Sequence, residues 1–540
     1  MNTYEIWLEK ATDKEILSEL LAIKEDKQGI DDRFYRALEF GTGGLRGVLG
    51  AGTNRMNVYT VGRATFGLAD YLLEKFEKPS VVIAYDSRRM SKEFASLAAE
   101  ILSAKGIKAY LFSELMPTPV LSFAVRRLKA TAGIVITASH NPKEYNGYKV
   151  YNQYGCQITD LAAKEILANI ERNGYFNEYT PENDLIELLD DEVLNAYLSE
   201  IEKYRLSNVD GTDMPKIVYT PLHGTGNKPV REILRRMGCK NVFVVKEQEF
   251  PDGDFTTCPY PNPEEKETLR LAVEFAKKEN AGLVLATDPD ADRVGIAVRD
   301  ENGAFQLLNG NETGVLLMNY MLSQKKAQGS LGENATVIKT VVTTDMAFGI
   351  AEKYGANVQE VLTGFKYIGE AMDETDNFVH GLEESYGFLV GTHARDKDAV
   401  SAVMLIVEMY AYYDSQGKTL LQVLDELFRE FGYYVTDLQS KTYPGADGKK
   451  TMDRIMERIR LTRSVGYNDE KMQFTDFSLG INGLPKSNVL RFADQETRII
   501  LRPSGTEPKL KIYYQVKGET KEKALQSLHE IKKAVADKTL

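Results

Sequence analysis

Short apolar runs rich in valine and isoleucine alternate with amphipathic stretches along most of the chain, and this alternation predicts strands followed by helices. The first amphipathic stretch, Asp13 to Asp26, sets Ile16, Leu17, Leu20, Leu21 and Ile23 among charges and reads as an N-terminal helical arm. A helical pattern from Val61 to Phe76 precedes a strand pattern at Val81–Tyr85. Another helical pattern at Lys92–Lys105 precedes a strand at Lys108–Phe112, and Gly133–Ile136 reads as a further buried strand. A second series opens with Lys216–Tyr219. It continues through a helix at Val230–Met237, a strand at Asn241–Val245, a helix ending near Lys278 and a strand at Gly282–Thr287. A third opens with Ala335–Lys339 and closes in a helix carrying Leu420, Leu421, Leu424 and Leu427. From about residue 450 the pattern changes to a helix at Met452–Leu461, scattered strands, a strand at Leu510–Val516 and a closing helix from Thr520 to Ala536. Strands alternating with helices of this length imply largely parallel sheets with helical crossovers, an α/β class.

Composition narrows the class. The 540 residues are 43% hydrophobic and 27% charged, as in a soluble globular chain with an ample core. A net charge of −12 repels nucleic acid and anionic membrane, so an anionic substrate needs a local cluster of arginine, lysine or metal. No stretch approaches the ~18 consecutive apolar residues of a membrane span. The start, Met1 to Trp7, lacks the basic and apolar regions of a signal peptide. Cys156, Cys239 and Cys258 are odd in number and far apart, which fits a reducing cytoplasm and shows no zinc pattern.

Candidate chemistry gathers where strands end, the usual place for sites in α/β proteins. Phe40-Gly-Thr-Gly-Gly-Leu-Arg-Gly47 has the wrong glycine spacing for a dinucleotide loop, but its backbone N–H groups and Arg46 suit a phosphate. The run Thr137-Ala-Ser-His-Asn-Pro142 follows a strand and exposes Ser139 to two readings, the cap of a following helix or a reactive hydroxyl. In Asp288-Pro-Asp-Ala-Asp-Arg293 three carboxylates alternate and would repel without a divalent cation; oxygen ligands suit Mg2+. A calcium loop is excluded, because Arg293 stands at its sixth position and Arg299 at its twelfth. Thr363 and Gly364, with Glu383 and Ser385, offer carboxylate, hydroxyl and glycine to sugar hydroxyls. Arg502, Ser504, Gly505 and Thr506 make a phosphate cradle.

Taken together and in this order, Thr-Ala-Ser-His-Asn-Pro, Asp-Pro-Asp-Ala-Asp-Arg, Glu-Glu-Ser-Tyr-Gly and Arg-Pro-Ser-Gly-Thr-Glu-Pro resemble the α-D-phosphohexomutase superfamily. The Gly-Thr-Gly-Gly-Leu-Arg-Gly start, Asn54-Arg-Met-Asn57, Thr220-Pro-Leu-His-Gly-Thr-Gly226 and the chain length are most similar to its phosphoglucomutase/phosphopentomutase branch. The resemblance implies three similar mixed α/β domains around a central cleft and a small C-terminal α+β domain. The division expected is 1–205, 206–325, 326–445 and 446–540.

It also implies an activity, the interconversion of glucose 1-phosphate and glucose 6-phosphate. Ser139 would carry the phosphoryl group as phosphoserine and a sugar bisphosphate would be the intermediate. Pentose or mannose phosphates on the same scaffold are the alternatives. Asp288, Asp290, Asp292 and a phosphoserine oxygen would hold Mg2+, and glucose 1,6-bisphosphate would activate. Glu383 and Ser385 would grip the sugar, and Arg502, Ser504, Gly505 and Thr506 the idle phosphate. Arg46 and Arg293 would offset charge, and His140 would orient the phosphoserine. Lys149, in Asn146-Gly-Tyr-Lys149, and Lys397, in His393-x-Arg395-x-Lys397, are the acid/base candidates, Lys149 with its pKa lowered toward that of a general base. Gly387 stands where phosphomannomutase-like relatives carry a histidine. The rival classes are a phosphatase in which the Asp288-Pro-Asp290 pair, not Ser139, is phosphorylated, and a non-catalytic sugar-phosphate binding protein that would keep Arg502 and Ser504.

Overall fold

A computed structural model describes residues 2–41, 43–207, 214–443, 448–481, 483–504 and 509–539; Gly505 and Thr506 lie outside the described residues. Among them the strands form four sheets, the fourth of which takes in Tyr433–Thr442 from the expected third unit. The first has seven strands, with Ala132–Ile136 and Ser80–Tyr85 at its centre. The second has five strands centred on Leu283–Thr287, and the third four centred on Thr336–Thr340 and Phe378–Glu383. The fourth has five strands, all antiparallel, with the helices Gly448–Thr462 and Lys521–Thr539. The chain is therefore mixed α/β with a small α+β unit at its C-terminal end.

The expectation of largely parallel sheets needs correction. The centre of each of the first three sheets is parallel, but its key strand turns back on itself. Ala132–Ile136 is followed by the antiparallel Tyr145–Asn152, Leu283–Thr287 by Val294–Arg299, and Phe378–Glu383 by Gly387–Val390. In the fourth unit Thr497–Pro503 is followed by the antiparallel Lys509–Gly518. The four candidate loops thus join the strands of four hairpins, a repeat of architecture that no sequence repeat announces. The helix-cap reading of Ser139 is overturned, because a strand follows it. The second half of the Gly-rich segment is itself a strand: Gly44–Val48 pairs with Tyr145–Asn152, and Gly44 (φ +75°) comes so close to the Tyr148 carbonyl that a Cβ would collide with it.

One apolar core runs through the first three units. Its axis is the helix Ala399–Asp414, apolar on every side and buried on every side. The fourth unit has its own core and meets the third through Val341, Val342 and Leu362 against Phe477, Ile500 and Tyr513. The helix Gly310–Ala327 packs on Met346–Tyr354 and Phe378–Glu383, and the expected division at 325/326 falls inside it. All three cysteines are unpaired. Among the described residues no helix is long and apolar enough to cross a membrane.

Candidate active site

The first three hairpin tips each bend through a left-handed residue other than glycine: Ser139 (φ 53°), Ala291 (φ 49°) and Tyr386 (φ 64°). Such a conformation costs roughly 1–2 kcal/mol per residue and persists only where the surroundings over-determine it. Around Ser139 the restraint comes from Arg88. Its guanidinium donates to the carbonyls of Ser139, Asn141, Pro142 and Tyr145, and Phe255 lies against its face. Asp86 completes the brace. It pairs with Arg88 at 3.3 Å and accepts from Thr137 Oγ1 at 2.6 Å, and Thr137 Oγ1 in turn accepts from the Ser139 N–H. Sequence reasoning passed over Arg88, although Asp86-Ser-Arg-Arg-Met90 also follows the end of a central strand.

Ser139 Oγ is buried and donates to Asp288 Oδ2 at 2.8 Å, with His140 Nδ1 at 3.2 Å. The first and second hairpins therefore meet at the two residues expected to meet. Asp288, Asp290 and Asp292 are buried, and one oxygen from each lies within 4.8 Å of the others. Asp288 Oδ1 accepts from the N–H groups of Asp292 and Arg293, which curls the loop around it. Asp290 Oδ2 accepts from Thr118 Oγ1 and Lys149 Nζ, at 2.9 and 2.8 Å. Among the described residues Asp290 Oδ1 and Asp292 Oδ1 are buried without a hydrogen-bond partner, with Arg293 Nε 3.8 Å from the latter. An all-oxygen set with two orphaned buried acceptors fits a hard divalent cation. Burial, then the charges of Asp290 and Asp292, push the Asp288 carboxyl well above its usual range. A cation reverses that repulsion.

Two lysines enter from opposite sides. Lys149 Nζ lies 3.4 Å from Asp292 Oδ2 as well as touching Asp290, and Lys397 Nζ lies 3.2 Å from Asp292 Oδ2. Burial works to lower both pKa values, but the surrounding carboxylates outweigh it and raise them. The two aspartates that face Lys149 act against the lowering expected of it. Both side chains are ammonium groups in this geometry. Asp292 is held below its usual range: burial opposes this, but Lys397, Lys149 and Arg293 prevail. His140 is pushed well below its usual value by burial and by Arg293 and Arg46, so it faces Ser139 as a neutral ring.

The third hairpin joins the second directly, for Arg293 bridges Gly387 and the Val294 N–H donates to the Tyr386 carbonyl. Gly387 has no room for a side chain, since a Cβ there would collide with Cδ and Cγ of Lys397. Lysine at 397 and glycine at 387 are therefore one arrangement, which gives a reason for glycine where phosphomannomutase-like proteins carry a histidine. Gly387→Ala is expected to cut kcat roughly tenfold to a hundredfold by displacing the ammonium, with little change in thermal stability. Steady-state kinetics beside a melting curve checks both.

Glu383 is buried, and burial raises its pKa against the pull of Lys397 and Arg293. Its neighbour Glu384 accepts from Thr340 Oγ1 at 3.3 Å and Thr343 Oγ1 at 3.2 Å. Burial, and Glu383 beside it, push Glu384 up to about 7. Ionising Glu384 is therefore harder in the folded chain than in the unfolded one. The resulting penalty is absent below pH ~4.5, grows up to pH ~7 and is constant above. Glu384→Gln is expected to raise Tm by about 2 °C at pH 8 and to leave it unchanged at pH 4.5, measured by calorimetry.

All four units line one cleft of about 1160 Å³. Arg46 and His140 come from the first and Arg293 and Glu264 from the second. Thr363, Gly364, Glu383 and Ser385 come from the third, and Arg502 and Ser504 from the fourth. Ser139, the aspartates and the two lysines lie beneath its floor. Glu264, which sequence reasoning missed, pairs with Arg293 at 2.8 Å, and Lys511, opposite Arg502 on the paired strand, adds a second cation to the far wall. Typical small-molecule sites enclose ~300–1,000 Å³, so the cleft leaves a hexose bisphosphate room to turn.

Comparison with known proteins agrees with this geometry. The phosphoglucomutase/phosphomannomutase family matches in four consecutive parts: alpha/beta/alpha domain I over 37–176, domain II over 195–303, domain III over 309–431 and the C-terminal domain over 447–534. A phosphoglucomutase of Staphylococcus haemolyticus is 38% identical over 518 residues, covering 92% of this chain and 93% of that one. One of Staphylococcus aureus is 37% identical over 541 residues, covering 95% of each. Among solved structures, the open form of the Paramecium phosphoglucomutase pp63/parafusin aligns with a TM-score of 0.72 at 18% identity, covering 93% of this chain and 95% of that one. A Burkholderia thailandensis phosphoglucomutase/phosphomannomutase family protein aligns at 0.70 with 17% identity, covering 93% and 98%. These two likenesses are of fold. With all four parts matched in order and such relatives spanning nearly its whole length, the chain belongs to the phosphoglucomutase/phosphomannomutase family.

Proposed function

We propose that the protein interconverts glucose 1-phosphate and glucose 6-phosphate, with the phosphoryl group carried on Ser139 and glucose 1,6-bisphosphate as both intermediate and activator. The observation that carries this reading is the contact between Ser139 Oγ and the buried aspartate trio, directly below a cleft lined by all four units. Curated relatives 37–38% identical over nearly the whole chain, named phosphoglucomutases, support the choice of sugar.

Phosphoryl transfer needs positioning and charge neutralisation more than covalent work by the protein. Asp288, Asp290, Asp292 and a phosphoserine oxygen would hold Mg2+, which lends positive charge to the group in transit. Arg88 fixes the Ser139 loop, so the hydroxyl keeps one position in both directions of transfer. Arg46 and Arg293, both close enough to His140 to depress its pKa, add charge along the cleft. Lys149 and Lys397, both ammonium groups, neutralise the developing charge, and Lys397 gives a proton to the departing Ser139 oxygen and takes back the one that the sugar hydroxyl loses. Glu383 and Ser385 take sugar hydroxyls, while Thr363 and Gly364 lie beside them. Arg502 and Ser504, with Gly505 and Thr506, hold the phosphate that does not react. A bisphosphate that turns end for end presents its second phosphate to Ser139 while the first takes the cradle.

Comparing kcat/KM on glucose 1-phosphate, mannose 1-phosphate and ribose 1-phosphate tests the substrate. Glucose 1-phosphate is expected to lead, and a lead for ribose 1-phosphate would make the enzyme a pentomutase instead.

A further inference from the structure

Tyr151 and Asp396 form a buried pair that the four loops do not account for. Tyr151 lies on the return strand Tyr145–Asn152, two residues beyond Lys149 and so on the same face of the strand. Its hydroxyl donates to Asp396 Oδ2 at 2.7 Å, across the boundary between the first and third units. The other oxygen, Asp396 Oδ1, accepts from the Lys397 backbone N–H at 2.8 Å and from Lys397 Nζ at 3.3 Å. Lys397 Nζ is thereby divided between Asp396 and Asp292, while its stem passes Gly387 and its ammonium lies 5.7 Å from the centre of the Phe365 ring.

The rest of this loop is held without the pair. The Arg395 N–H donates to Ser122 Oγ, and its guanidinium pairs with Asp373. Asp398 is held by Tyr197, by His393 and by the N–H groups of Val400 and Ser401. Phenylalanine at 151 would fill the same space and need no partner, whereas a buried phenol must find one. What the Tyr151 hydroxyl and the Asp396 charge determine is where the Lys397 ammonium sits. Asp396 serves Lys397 alone among the described lysines, whereas Asp292, the other anchor at 3.2 Å, is shared with Lys149 and belongs to the trio that fits a cation. A cation there draws on the same carboxylate charge.

We propose that Tyr151 and Asp396 are positioning residues for Lys397: the hydroxyl orients the carboxylate, and the carboxylate holds the ammonium toward the cleft. This rests on the reading of Lys397 as a carrier of the transferred proton.

Tyr151→Phe in the full chain, assayed with glucose 1-phosphate and saturating Mg2+, is expected to lower kcat roughly tenfold, as for a lost hydrogen bond to a charged group. KM should stay within about twofold and the metal-free Tm within about 2 °C. Asp396→Asn, which keeps the shape and removes the charge, should show the same split. In a Lys397→Met background, Tyr151→Phe should cause no further loss in single-turnover transfer from phosphorylated Ser139. Wild-type kcat in Tyr151→Phe beside an impaired Lys397→Met enzyme overturns the positioning role and leaves that of Lys397 standing. A further loss in the double variant overturns it as well, since the hydroxyl would then act elsewhere. Lys397→Met at the wild-type rate overturns both readings.

Discussion

Ser139→Ala is expected to lower turnover by roughly 10⁴-fold or more, the scale seen when a nucleophile that works with its neighbours is removed, and to leave the fold in place. The loop does not depend on the hydroxyl. Arg88 holds it by four backbone carbonyls, and Thr137 holds the Ser139 N–H. Alanine is strained at φ 53° just as serine is, so the variant keeps the bend and loses only the group that carries phosphate. Ser139→Gly is the informative companion. Glycine takes this conformation without penalty, so that variant should be as stable as the parent or more so, and equally inactive. Kinetics with and without glucose 1,6-bisphosphate, beside thermal melting, separate loss of chemistry from loss of structure. Added bisphosphate should restore dephosphorylated wild-type enzyme and neither variant.

Asp290→Asn is the second large effect, a fall in kcat of roughly a thousandfold, the upper range for removal of one preorganised charge from an active site. The amide can still accept from Thr118 and Lys149, so the geometry survives. What disappears is one of three negative charges facing a shared point, and with it the hold on a cation. The same change relieves repulsion: Asp288 is pushed up partly by Asp290, and without that neighbour it ionises more readily. The same charge also balances the buried Lys149 ammonium 2.8 Å away, so metal-free Asp290→Asn gains at Asp288 and loses at Lys149, and its response to Mg2+ is read against its own metal-free Tm. Mg2+ should raise the Tm of wild type and much less that of the variant, because a ligand that binds only the folded state stabilises it by mass action. Retained activity with unchanged Mg2+ dependence would contradict the assignment of the trio.

How much of this was legible in the sequence depended on distance along the chain. Ser139, the aspartates and Arg502 each lie where a strand pattern gives way to polar residues, which made them candidates, whereas Glu383 was reached through its Glu-Glu-Ser-Tyr-Gly motif and the resemblance of the four motifs taken together. The return strands were harder. Tyr145-Asn-Gly-Tyr-Lys-Val-Tyr-Asn152 has Asn and Gly early in it and is half polar, so periodicity did not separate it from a loop, and the sheets were read as more parallel than they are. Arg88 follows a strand end too, but its role is to hold backbone carbonyls, and no motif advertises such partners. The direction of the lysine pKa values could not be read locally at all. Lys149 meets Asp290 from 141 positions away, and which carboxylates face it is a property of how the first and second sheets abut. Gly387 shows the opposite case. Its departure from a histidine was visible in the sequence, yet its reason, the stem of Lys397, became visible only in three dimensions.

The central claim is that Ser139 receives a phosphoryl group and hands it to a sugar above the aspartate trio. The most direct test is to load the enzyme from glucose 1,6-bisphosphate labelled in both phosphates, isolate it, locate the label, and add unlabelled glucose 1-phosphate for a single turnover. The account predicts label on Ser139 that moves to a sugar bisphosphate within that turnover, and none on Ser139→Ala. Label on Asp288 or Asp290, or its release as inorganic phosphate without passage to sugar, would contradict it.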